Sequence, residues 1–198
     1  DGKDDAGKPV ILFLTSRGWQ SGPENDPRTW RLARWTGRTW NITTVTTSDN
    51  NYDMGSLYIE DDTTWRIIGP TEAGPQAYNT GGEMAMSLSE DKGQTWTRTR
   101  RLTRNSERNH TYARRPVNAH PDFYAMWADG NGRQSSQSDL YFCDKKGNVF
   151  HLPRQMGDNV ARPQAMSGRD PDLNGDGMLD AVDFAIFGLN WLDRGLWP

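Results

Sequence analysis

Ser89-Glu-Asp-Lys-Gly-Gln-Thr-Trp96 is the stretch on which the fold turns. It reads S-x-D-x-G-x-x-W, and each fixed position has a local task. Ser89 and Asp91 hydrogen-bond turn amides, Gly93 supplies a left-handed residue, and Trp96 tucks beneath the resulting hairpin. Weaker echoes follow at Trp35-Thr-Gly-Arg-Thr-Trp40, Asp61-Asp-Thr-Thr-Trp65 and Cys143-Asp-Lys-Lys-Gly-Asn-Val-Phe150. Their aromatic ends recur at intervals of roughly 25 to 30 residues or a multiple, the spacing of hairpins in a repeated β array. Between the turns, segments 10–14, 29–35, 56–60, 64–68, 82–88, 123–127 and 140–143 have the length and β-branched or aromatic content of strands.

The turn motif resembles the Asp box of sialidase-like β-propellers. In such folds the motif sits at outer turns, away from the axial site, so Asp91 is read as structural. The resemblance implies a mainly β fold: a partial β-propeller, about three four-stranded blades of a larger one, over residues 8–153. A linker at 154–170 and a small EF-hand-like loop-helix at 171–193 complete the expected organisation. The chain from about Lys8 to Pro163 also resembles the BNR-4 propeller family of secreted bacterial proteins, related to some polysaccharide lyases. The segments carrying that likeness are Thr15–Trp19, Asn51–Glu60, Gly69–Glu72, Tyr78–Glu83, Asn109–Asn118 and the Asp box. The family pattern implies a His at position 50, where this chain has Asn50.

Near the C-terminus, Asp172-Leu-Asn-Gly-Asp-Gly-Met-Leu-Asp-Ala-Val-Asp183 places oxygen ligands at loop positions 1, 3, 5, 9 and 12. Asp172, Asn174, Asp176, Asp180 and Asp183 supply side-chain oxygens, Met178 its backbone carbonyl, and Gly177 the sharp turn. The expected cofactor is Ca2+. Asp183 is one methylene shorter than the Glu usual at position 12. Residues 181–192 read as a short helix that is apolar around most of its circumference. Loop and helix resemble one half of a type I dockerin, which implies a cohesin-like or cell-surface partner and an extracellular location. A dockerin carries two halves; here the second is missing, or the helix packs on the preceding domain, or a partner covers it.

The composition fits short strands and many turns: 34% hydrophobic residues, 20 Gly and 9 Trp in 198 residues. A net charge of −3 suggests neither a nucleic-acid partner nor a cationic membrane-binding surface. No stretch approaches the roughly 20 apolar residues of a membrane span. Cys143 is the single cysteine and excludes an intrachain disulfide. No signal peptide is visible before Asp1.

The densest chemistry lies in Asn109-His-Thr-Tyr-Ala-Arg-Arg-Pro-Val-Asn118. On an extended strand His110, Tyr112 and Arg114 share a face, because side chains alternate. Arg114 would neutralise a uronate carboxylate while His110 or Tyr112 exchanges protons, the requirements of a lyase. A sialidase set would draw on Arg114, Arg115, Tyr112 and Glu72 or Glu83. A two-carboxylate hydrolase would use Glu72 and Glu83. The same arginines also suit a structural ion-pair network. Cys143, His120 and His151 are zinc-ligand types without a zinc spacing, so a small buried Cys and loop histidines are expected instead. Trp19, Trp30, Trp35, Trp65 and Trp127 are either sugar platforms or fillers between sheets, and Met84 and Met86 read as core. Arg98, Arg100, Arg101 and Arg104 suit a solvated strand or an acidic polysaccharide. The functional expectation is an extracellular protein of polysaccharide breakdown, cleaving O-glycosidic bonds by hydrolysis or by elimination on uronates. The alternative is a glycan-binding or scaffold-attached module without catalysis.

Overall fold

A computed structural model describes residues 2–50, 54–155, 164–165, 181–182 and 184–185. Its strands form three antiparallel sheets, each a meander in chain order. The first contains β1 (Gly2–Lys3), β2 (Pro9–Thr15), β3 (Arg28–Trp35) and β4 (Trp40–Ser48). The second contains β5 (Ser56–Ile59), β6 (Trp65–Glu72), β7 (Glu83–Ser89) and β8 (Thr97–Arg101). The third contains β9 (Asn109–Arg114), β10 (Ala125–Gly130), β11 (Leu140–Cys143), β12 (Val149–His151) and the two-residue β13 (Gln164–Ala165).

Alternation decides which face each strand buries. On β2, Val10 and Leu12 are buried while Pro9 and Ile11 are exposed. Val10, Leu12, Trp30 and Leu32 of the first sheet meet Leu57, Trp65 and Ile67 of the second in one core. Tyr58, Ile68, Met84 and Met86 on the second sheet meet Ala113, Ala125, Trp127 and Cys143 of the third in another. The middle sheet is thus covered on both faces, which is why β7 is buried at every position but Leu88. Met84 and Met86 are core residues, as their pattern implies.

The expected strands recur with adjusted ends, and β8 coincides with the run read as a solvated strand, but β4 and β12 add outer strands absent from the sequence reading. β4 is Thr-rich and mostly exposed, so it lacks the apolar alternation that marks a strand. The segment expected as a linker also contributes, since Gln164–Ala165 pairs with the open edge of β12. The expected calcium ligands Asp172, Asn174, Asp176, Met178, Asp180 and Asp183 lie outside the described residues; residues 181–182 and 184–185 are helical. No helix among the described residues is long and apolar enough to cross a membrane.

Because the meanders alternate direction, the connections divide between two ends. Turns at 4–8, 36–39, 60–64, 90–96 and 144–148 and the 115–124 loop gather at one, and loops at 16–27, 73–82, 102–108 and 131–139 at the other. The Asp-box turn and its echoes at 36–39 and 144–148 occupy the same place in each sheet, between the third and fourth strands. Ser89 Oγ donates to Asp91 Oδ1 (2.8 Å) and accepts from the Gly93 amide (2.9 Å). Asp91 Oδ1 takes the amides of Gln94 (2.9 Å) and Thr95 (2.8 Å). Burial opposes the Asp91 charge, but donation from Thr95, Ser89 and Gln94 prevails and holds the carboxyl at about 2. Gly93 has φ of 78°, and a Cβ there would lie 2.3 Å from Leu32 Cδ2. Its carbonyl accepts from Thr43 Oγ1 (2.6 Å), so the turn also pins the second sheet to the first.

Candidate functional site

The loop end holds a cavity of about 550 Å3, lined by residues that include Glu72, Glu83, Arg101, Arg104 and Ser106. Glu72 ends β6 and Glu83 begins β7, and the two are directly paired across the ladder. A paired position puts both side chains on one face with Cβ atoms about 5 Å apart. Thus two of the expected acidic candidates, distant in sequence, come together.

β-Bulges assemble what surrounds them. Between Gly69 and Glu72 the register shifts by one residue, re-aiming Glu72. On β8 a second shift aligns Arg98 with Ser87 and Arg101 with Ala85. Three positions apart, these arginines would face opposite ways on a regular strand; the bulge turns both toward Glu72. Arg98 Nη1 is 2.8 Å and Arg101 Nη2 3.5 Å from Glu72 Oε2. The sequence reading treated this run as a solvated strand and missed its role beside Glu72, since alternation gives no sign of a bulge.

Glu83 is only 8% exposed and accepts three hydrogen bonds. Thr103 Oγ1 (2.5 Å) and Ser106 Oγ (2.8 Å) donate to Oε2, and the Ser106 amide (2.8 Å) donates to Oε1. Behind Ser106 stands His110, 1% exposed. Trp127 Nε1–H donates to His110 Nδ1 (3.0 Å), which leaves the proton on Nε2 to donate to Ser106 Oγ (2.9 Å). Burial keeps this imidazole neutral and lowers its pKa to about 4, with Glu83 and Asp129 pulling the other way. The chain Trp127–His110–Ser106–Glu83 therefore fixes a carboxylate from beneath.

The expected row of His110, Tyr112 and Arg114 is not assembled. β9 is bulged against β10, Tyr112 has φ of 55°, and the alternation breaks there. His110 points into the core, whereas Tyr112 is 47% exposed with the Arg114 guanidinium 5.2 Å from its ring centre. Arg115 instead donates to the Leu57 carbonyl (3.1 Å) and lies over the Tyr58 ring, joining the second and third sheets. Asn109, fully buried, organises the pocket loop: its side chain receives the Gln76 amide and donates to the carbonyls of Gln76, Thr80 and Gly81. Asn50 is also fully buried, its amide donating to the Pro70 carbonyl while Oδ1 has no hydrogen-bond partner among the described residues.

The zinc-type residues are not gathered. Cys143 is a core residue whose thiol burial pushes up to about 12, and His120 is exposed at a turn. No group of His, Cys, Asp and Glu suited to a metal occurs among the described residues. Trp30, Trp65 and Trp127 fill the spaces between sheets, while Trp19 on the 16–27 loop is 75% exposed. No protein-family model, curated protein or solved structure matches the chain.

Proposed function

We propose that this chain is a secreted carbohydrate-active protein of polysaccharide catabolism, and that its loop-end cavity binds a sugar chain for cleavage of an O-glycosidic bond. The observation that carries this reading is the cross-strand pair Glu72 and Glu83 on one wall of an open cavity rimmed by Arg101 and Arg104. Two carboxyl groups facing one sugar suit hydrolysis, one transferring a proton to the leaving oxygen and the other acting on the anomeric carbon or on water. The arginines suit an acidic polysaccharide, whose carboxylates they would neutralise. In this proposal the three sheets are blades of a β-propeller, supported by the Asp-box turn of the second sheet and by tight turns at the same place in the other two. The loop 172–183 binds Ca2+ through its acidic side chains, and the helix after it engages a cohesin-like or cell-surface partner.

A second reading, glycan binding without cleavage, is favoured by the engagement of both carboxylates: Glu83 by Thr103 and Ser106, Glu72 by two guanidinium groups. Incubation with neutral and uronate polysaccharides separates the readings. Hydrolysis releases reducing ends and disappears in Glu72→Gln and Glu83→Gln. Elimination adds ultraviolet absorbance from unsaturated uronates. Retention on an affinity gel without either product means binding alone, and no retention and no product contradicts the proposal.

A further inference from the structure

We infer that Trp19 is a sugar-stacking platform flanking the loop-end cavity, a second subsite for a pyranose ring of the same polysaccharide. The inference rests on the proposed glycan function. Its starting point is how the loop that carries the indole is held, together with the exposure of the indole.

Arg28, at the start of β3, is 5% exposed and grips the backbone on both sides of Trp19. Its Nη1 donates to the Gly18 carbonyl (2.9 Å) and its Nη2 to the Gln20 carbonyl (2.6 Å). Ser16 Oγ also donates to Gly18 (2.6 Å), and Asn25 Nδ2 to Gln20 (3.1 Å). The Asn25 side chain packs directly on Gly18, its Oδ1 2.3 Å from where a Cβ would lie. A buried guanidinium and two polar side chains thus fix the peptide that presents the largest apolar side chain in the sequence, at 75% exposure. Holding that surface in water gains nothing for folding. For a ligand it lowers the ordering cost, since the backbone on both sides of Trp19 is set before binding.

The loop is tied to the cavity side. Arg133 Nη2 donates to Ser21 Oγ (3.4 Å) and to the Tyr78 carbonyl (2.6 Å), linking the Trp19 loop to the 73–82 loop that supplies Ala73, Gly74 and Pro75 to the cavity wall. The flat, apolar C–H face of a pyranose fits an indole, and its hydroxyl rim suits the polar residues next to Trp19 in the chain, Arg17, Gln20 and Ser21.

The test is affinity electrophoresis in gels carrying a neutral β-glucan, a xylan, polygalacturonate or ulvan. Wild type, Trp19→Ala, Trp19→Phe and Trp40→Ala are compared, the last removing a 42% exposed tryptophan at the opposite end. Melting temperatures confirm that each variant folds. With the polysaccharide that retards the wild type, Trp19→Ala binds about tenfold more weakly, Trp19→Phe retains most of the affinity, and Trp40→Ala is unchanged. Equal retardation of wild type and Trp19→Ala overturns the platform while leaving the glycan reading standing. No retardation of the wild type by any of the four overturns both. Retardation lost equally in Trp19→Ala and Trp40→Ala points to nonspecific aromatic adhesion and also overturns the platform.

Discussion

At the turn end, Asp91 spends its carboxylate on its own turn, receiving the amides of Gln94 and Thr95. At the loop end, Glu72 and Glu83 are just as well partnered, yet their partners come from other strands and loops and leave both carboxylates on a cavity wall. The difference lies in what the hydrogen bonds fix. Local bonds within a few residues close a turn; bonds across 20 residues or more hold a wall open. Short turns carry the scaffold and longer loops carry the site, as expected when a rigid framework presents variable connections.

Gly93→Ala attacks the turn end most directly and has the largest expected effect. It combines a left-handed backbone with a collision against Leu32, so urea unfolding should show a loss of about 3 kcal/mol or more. Sugar binding per folded molecule should persist, because the cavity lies at the other end. His110→Ala strikes the loop end from within. It leaves the Trp127 indole N–H and the Ser106 hydroxyl short of a partner, at about 2–3 kcal/mol. Unlike the first variant, it should also weaken sugar binding, because Glu83 loses its support. Asp91→Ala is milder, at about 1–2 kcal/mol at neutral pH, since it removes turn bonds without a cavity.

Acid sharpens the contrast. The folded His110 pKa, about 4, is below its ordinary 6.5, so the unfolded chain binds more protons between the two values. That stability is fully present above about 6.5 and is lost as pH falls toward 4. The Asp91 carboxyl, about 2 against an ordinary 3.8, loses its contribution only as pH falls from 3.8 through 2. Hydrogen exchange at pH 5 and pH 7 should therefore show the 102–110 segment loosening first while the Asp-box turn stays protected. Simultaneous loosening of both would remove this distinction.

The scaffold was legible in sequence because it is local. Ser89, Asp91, Gly93 and Trp96 act within one turn, and Val10, Leu12, Trp65 and Ile67 alternate as buried strand residues must. The site was only partly legible. Glu72 and Glu83 stood out as acids in a Gly- and Pro-rich segment, but their pairing depends on register. Period two fails wherever a bulge intervenes: it put His110, Tyr112 and Arg114 on one face and left Arg98 and Arg101 apart, and the bulges in β9 and β8 reverse both. The supports of Glu83, Thr103 and Ser106, carry no sequence mark at all, being ordinary hydroxyl residues placed by the loop after β8.

The central claim is that sugar is met at the loop end alone. Hydrogen exchange of the wild-type chain, with and without the polysaccharide that retards it in gels, tests this most directly. The account predicts added protection in 16–22, 73–82 and 101–106 and none in 36–39, 90–96 or 144–148. Protection confined to the turns at 36–39, 90–96 and 144–148, or no change anywhere at saturating polysaccharide, would contradict it.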